Sequence, residues 1–202
     1  MNDNKIPVHE KPSESKSVKK NIGAAYEIIE TVAKVTVIVM LAFAFIGRLN
    51  IVDGSSMRET LADGEKLVVS DLFYTPKAGD IVVVHDISAF PYNEPLVKRI
   101  IATEGQTVDI DFSTWTLTVD GKVIDEPYRW LDPSRSTLTA DYSFPITVPD
   151  GEIFVLGDNR NGSADSRQME IGTIDTRCVV GRAIARILPF NKFTVFKSPY
   201  EK

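Results

Sequence analysis

PLVKRII, residues 95–101, decides how the chain is read. Its apolar residues alternate around a lysine and an arginine in a run too short for a helix, so it is a strand with Leu96, Lys98 and Ile100 on one face and Val97, Arg99 and Ile101 on the other. Similar runs precede and follow it: KLVVS, DIVVVHD, TVDID, TWTLTV, KVID and EIFVLGD, separated by Asp63-Gly64, Ala78-Gly79-Asp80, Asp120-Gly121 and Asp150-Gly151. Val119-Asp120-Gly121-Lys122 carries the strongest hairpin signal. No long helical pattern interrupts the strands after Lys66, which argues against a parallel βαβ arrangement. The expected fold is mostly β, an antiparallel sheet domain preceded by one N-terminal transmembrane helix.

That helix is read from the segment before the strands. Residues 1–24 form a polar tail expected to be disordered, with Lys11, Lys16, Lys19 and Lys20 in it. Residues 25–50 are expected to be the anchor. The uncharged run Val35–Gly47 is short for a span, and the length is made up from Thr31 to Val52 if Lys34 and Arg48 snorkel to opposite interfaces. A cleaved secretory signal and a soluble core helix are the alternatives. The Ala42-Phe43-Ala44 triplet is embedded in the apolar run, so an uncleaved anchor fits better. The lysines ahead of the segment put the N-terminus in the cytoplasm, leaving residues 51–202 as an extracytoplasmic domain.

Composition narrows the function. A net charge of −5 and no basic cluster after residue 20 argue against nucleic acid. The single cysteine, Cys178, can form neither an intrachain disulfide nor a zinc pair, and is expected to be a small buried apolar residue. His9 and His85 are the only histidines, and nothing indicates a metal or organic cofactor.

VDGSSM, residues 52–57, offers two serines behind a glycine. A serine hydroxyl needs a base to become a nucleophile. His85 has no motif around it. Lys98 can act only if burial lowers its pKa from about 10.4, and alternation alone favours an edge-strand lysine whose ammonium snorkels to solvent. A third stretch, GDNRNGSADSR at residues 157–167, gathers Asp158, Arg160, Ser163, Asp165 and Arg167 in one loop.

Together the three stretches resemble type I signal peptidases, of the Gram-positive kind, which are membrane-anchored Ser-Lys endopeptidases that remove signal peptides from exported preproteins. VDGSSM resembles the Gly-x-Ser-Met box, LVKRI the lysine box and GDNRNGSADSR the Gly-Asp-Asn-Arg…Ser-x-Asp-Ser-Arg box, across about residues 30–190. The resemblance implies Ser56 as nucleophile, Lys98 as general base, Ser163 as a hydrogen-bond partner orienting the lysine, and Asp165 with Arg167 as a supporting ion pair. It implies the Ser56 N–H as one oxyanion donor, with the second at or near Gly54, where some members carry a serine. The substrate would lie as an added strand with small residues at −1 and −3, and Val52, Met57, Leu61 and Val97 are candidate pocket walls. Residues 106–150 correspond to a small variable insertion, and Phe90 and Tyr92 would seat the domain on membrane lipid. Glu59 stands where the family usually has proline. Facing inward, it would raise the pKa of Lys98, and it also motivates the alternative of a non-catalytic binding homologue. A soluble self-cleaving Ser-Lys protease is the other alternative.

Overall fold

The computed structural model describes residues 13–85, 94–132, 134 and 140–200. It divides into two units, Met1–Phe45 and Ile46–Lys202. The first contains helix α1, Ser13–Ile46. Every residue from Ile22 to Leu41 is exposed, including Ile28, Val32, Val35, Ile38 and Leu41. Among the described residues no helix is long and apolar enough to cross a membrane.

The helix boundaries correct the sequence reading at both ends. Its first turns lie inside the stretch expected to be disordered. At the other end, Arg48–Ile51 is strand β1, paired with β2 (Lys66–Ser70) through Arg48↔Val69 and Ile51↔Lys66. Arg48 therefore does not flank a helix that continues to Val52. Leu49 and Ile51 follow a period of two, and the glycine ahead of them lets the chain pass close to β2, where a Cβ on Gly47 would lie 2.8 Å from Val68 Cγ1.

The second unit carries the sheets. The remaining strands are β3 (Ile81–Val84), β4 (Leu96–Thr103), β5 (Thr107–Asp111), β6 (Thr116–Val119), β7 (Lys122–Val123), β8 (Ile146–Thr147), β9 (Glu152–Leu156), β10 (Ile174–Asp175), β11 (Val179–Leu188) and β12 (Thr194–Val195). The larger sheet runs β1-β2-β11-β3-β4-β9-β10, with β12 on β11, and every pairing is antiparallel, as expected. A second sheet, β7-β6-β5-β8, is built entirely from the stretch read as an insertion.

β4 is an interior strand between β3 and β9, with Val97 to Ala102 all buried. An edge position for Lys98, where its ammonium could reach water along the strand margin, is therefore not what the fold provides. Met57, Leu61, Leu67, Val69 and Val83 form one apolar cluster, and Val82, Ile100, Ile153 and Val155 another. Cys178 is half-buried at the margin of the second. The smaller sheet buries Val108, Ile110, Leu117 and Val119 with Phe154.

The β6–β7 turn is the hairpin read from Val119–Lys122, with φ of 51° at Asp120 and 72° at Gly121, the left-handed pair of a type I′ turn. Gly121→Ala places a Cβ in that region, and the expected cost is about 1 kcal/mol, seen as a fall of about 3 °C in thermal midpoint. An unchanged midpoint would contradict the turn assignment.

Candidate active site

Strand register brings the lysine and the polar loop together. Arg99 pairs with Leu156, so the first residue beyond β9, Gly157, falls opposite Lys98. There the chain turns away from the ladder, and no side chain fits. A Cβ on Gly157 would lie 2.2 Å from Ser163 Oγ and 2.5 Å from the Ser56 carbonyl oxygen. Glycine thus lets the loop close on the serine turn from one side and on β4 from the other.

The serine turn is fixed by packing and by hydrogen bonds. Met57 and Leu61 are fully buried anchors, and the Leu61 N–H donates to the Met57 carbonyl at 2.8 Å. The Arg58 N–H donates to the Ser55 carbonyl at 3.1 Å. Ser56, half-buried between them, presents Oγ 2.9 Å from Lys98 Nζ. The Lys98 amine also donates to the Val97 carbonyl at 3.2 Å.

Lys98 is 2% exposed, and its pKa is pushed down to about 8, chiefly by burial. Asp165 and Asp158 pull it up, and Arg167 pushes it down. The two carboxylates have limited leverage because each is engaged by its own arginine. Arg99 donates Nε and Nη2 to Asp158 at 2.8 and 2.7 Å, and Arg167 donates Nε and Nη2 to Asp165 at 2.7 and 2.8 Å. Burial alone would raise the Asp165 pKa, but the Arg167 guanidinium outweighs it and holds the carboxyl below its ordinary value. Asp165 also accepts the Gly157 N–H at 3.0 Å, so the pair braces the loop at the glycine.

Several expected roles need correction. Among the described residues, Ser163 Oγ donates to the Ala164 carbonyl at 3.3 Å, and the Lys98 amine bonds Ser56 and Val97 instead. Ser163 is therefore beside Gly157 without being the lysine's hydrogen-bond partner. The Gly54 N–H donates to Asp63 Oδ1 at 2.8 Å, which removes it as an oxyanion donor. The Ser56 N–H meets no protein acceptor among the described residues. Glu59 faces solvent beside Arg58 at 3.6 Å and is absent from the charges acting on Lys98, so it does not raise the lysine's pKa. His85 bonds Cys178 through its backbone and makes no hydrogen bond to Ser56 or Asp158 among the described residues.

Of the four proposed wall residues, Val97 lines a cleft of about 310 Å³ with Leu49, Ile51, Val83, Glu94 and Pro95. Val52, Met57 and Leu61 are buried in the same apolar cluster as Val97 and Val83, with Leu67 and Val69. Phe90 and Tyr92 lie outside the described residues.

Sequence reasoning assigned no role to Arg99, Thr60 or Asn159. Thr60 Oγ1 and Arg99 share the carboxylate of Asp158, and Arg99 stacks over Tyr128 with 3.8 Å from Cζ to the ring centroid. Asn159 donates its backbone N–H to the Ser56 carbonyl and its Nδ2 to the Ser55 carbonyl, both at 3.0 Å. A signal was available for Arg99: two successive cations in an apolar strand both need partners.

A serine with a buried amine at hydrogen-bond distance defines a site suited to hydrolysis through a serine nucleophile. The family model described as signal peptidase, peptidase S26, matches residues 25–188. Signal peptidase I of Bacillus licheniformis is 36% identical over 190 residues, covering 89% of this chain and 97% of that protein. Signal peptidase I of Bacillus amyloliquefaciens is 35% identical over 191 residues, covering 90% and 95%. A crystal structure of a signal peptidase I from Enterococcus faecalis V583 is 28% identical and covers 54% of this chain and 97% of that one, with a TM-score of 0.43. The chain belongs to the peptidase S26 family as a type I signal peptidase, a serine peptidase family that acts on preprotein signal peptides.

The lowered pKa of Lys98 has a consequence for stability. Between about 8 and 10.5 the unfolded chain binds more protons at this group than the folded one, so stability rises with pH there. Below that window the penalty is constant at roughly 3 kcal/mol. Lys98→Met, which keeps the bulk and removes the charge, is expected to gain stability relative to the parent at pH ~7 and to lose that advantage as pH rises through the window. Denaturant unfolding at several pH values checks this, and a difference independent of pH would contradict it.

Proposed function

We propose that this chain is a membrane-anchored Ser-Lys endopeptidase that removes N-terminal signal peptides from exported preproteins after small residues, at sites of the Ala-x-Ala type. The observation that carries the reading is the 2.9 Å approach of Lys98 Nζ to Ser56 Oγ at a buried, pKa-lowered amine. Neutral Lys98 accepts the Ser56 hydroxyl proton as Oγ attacks the scissile carbonyl carbon. The Ser56 N–H stabilises the oxyanion of the tetrahedral intermediate. The Lys98 ammonium then protonates the departing amine, leaving an ester on Ser56. Lys98, neutral again, takes a proton from water, whose oxygen attacks the ester carbonyl. Return of that proton to Oγ frees the processed signal peptide and restores the serine.

The cleft at Val97 supports a small residue beside the cut, and the outer edge of β1, which among the described residues pairs with β2 alone, supports a peptide added as a strand. Ser163, Asp165 and Arg167 support the site by shaping the loop at Gly157. The outward Glu59 leaves the non-catalytic alternative without its motive.

For α1 we read an anchor, with the N-terminus cytoplasmic and the β-domain extracytoplasmic. Its exposed apolar residues find no cover within the helix itself, which suits lipid. From Val35 to Ile46 the apolar part measures about 18 Å at 1.5 Å per residue, against a hydrocarbon core of about 30 Å. The anchor reading thus needs the bilayer to thin or Lys34 to snorkel. Alkaline carbonate extraction is expected to leave the full chain in the membrane pellet, and release to the supernatant would remove the anchor.

Incubation of the detergent-solubilised protein with a preprotein bearing an Ala-x-Ala site tests the activity. The unaltered protein is expected to cut it, with a rate rising with pH through an apparent pKa of about 8 as Lys98 loses its proton. Ser56→Ala and Lys98→Ala are each expected to lose at least about 1,000-fold in rate. An intact preprotein across pH ~7 to ~10, or full-rate cleavage by either variant, would refute the dyad.

A further inference from the structure

We infer that Asn159 is a positioning residue that aims the oxyanion donor, an inference that rests on the serine-peptidase reading above. The peptide group between Ser55 and Ser56 contains the Ser55 carbonyl and the Ser56 N–H, which in a trans peptide point in opposite directions. Whatever holds the carbonyl therefore sets the direction of the N–H. Asn159 Nδ2 holds it at 3.0 Å, alongside the Arg58 N–H at 3.1 Å. The next peptide group is held by the same residue, because the Asn159 N–H donates to the Ser56 carbonyl at 3.0 Å. One asparagine thus pins both peptide planes flanking the nucleophile.

Asn159 is itself held tightly. It is 2% exposed, and its main chain bridges to Trp130. The Asp158 carbonyl accepts the Trp130 N–H at 2.8 Å, and the Trp130 carbonyl accepts the Arg160 N–H at 3.0 Å. Gly162 closes over its side chain, where a Cβ would lie 2.3 Å from Asn159 Nδ2. With Gly54 engaged by Asp63, the Ser56 N–H carries more of the oxyanion's stabilisation, and its direction matters correspondingly.

A residue acting this way lowers the transition state without binding ground-state substrate. The test uses the full chain in detergent, a peptide substrate with alanine at −1 and −3, and a peptide aldehyde whose adduct with Ser56 carries the tetrahedral oxygen. Asn159→Ala is expected to lower kcat about 10- to 100-fold with KM within about twofold. Aldehyde affinity should fall by the same factor, and the ascending limb of the pH profile should not move. Asn159→Asp keeps the shape, and so the fold, but its ionised carboxylate cannot donate to the Ser55 carbonyl; it is expected to lose at least as much. Thermal unfolding confirms that each variant is folded. A folded Asn159→Ala that keeps kcat and aldehyde affinity would overturn the inference, as would a change confined to KM or a shifted pH limb. Failure of the unaltered protein to cleave, or cleavage by Ser56→Ala, would overturn the underlying reading instead.

Discussion

Everything at the site depends on keeping an amine dry. Lys98 lies in an interior strand, buried on both sides, and desolvation disfavours its charged form more than the two nearby carboxylates favour it. The balance holds because Asp158 is committed to Arg99 and Asp165 to Arg167. Were either arginine removed, a buried carboxylate would turn on Lys98 as its remaining counter-ion and stabilise the ammonium. The ion pairs of the loop therefore do more than hold shape: they keep negative charge from reaching the base.

The same loop ties together distant parts of the chain. Gly157 and Gly162 allow backbone and side chains to approach where any larger residue would clash. Arg160 pairs with buried Glu126, joining the loop to the segment that follows the second sheet's first three strands. On the far side of the serine turn, Arg186 donates to the Thr60 carbonyl at 3.1 Å and to buried Glu65 at 2.8 Å. The nucleophile is thus fixed by contacts from β11 as well as from the 157–167 loop. This rigidity suits a site whose oxyanion donor must point correctly before substrate arrives.

Local pattern made the strands, the Asp120-Gly121 hairpin and the antiparallel class legible in the sequence, because period-two burial and left-handed turns leave marks within a few residues. Resemblance to a family singled out Ser56 and Lys98, and alternation placed Lys98 in a strand without revealing that the strand is interior. The helix end was misjudged because four residues of strand after Gly47 are too few to show a period against a long apolar run. Gly54 and Ser163 were misjudged for a different reason. Their roles depend on hydrogen bonds set by tertiary placement: Asp63 takes the Gly54 N–H, and the Ser163 hydroxyl turns to the Ala164 carbonyl. Asn159 was invisible for the same reason, since its bond to the Ser55 carbonyl spans 104 positions of chain.

The central claim is that Lys98 in the folded protein gives up its proton at about pH 8, well below an unperturbed lysine. Its most direct test is an NMR titration of the full chain with lysine labelled at 13Cε, using Lys98→Met to assign the resonance. The account predicts one lysine titrating with a midpoint of about 8 and missing from the variant. Every lysine titrating near about 10.4, the value of an unperturbed side chain, would contradict it.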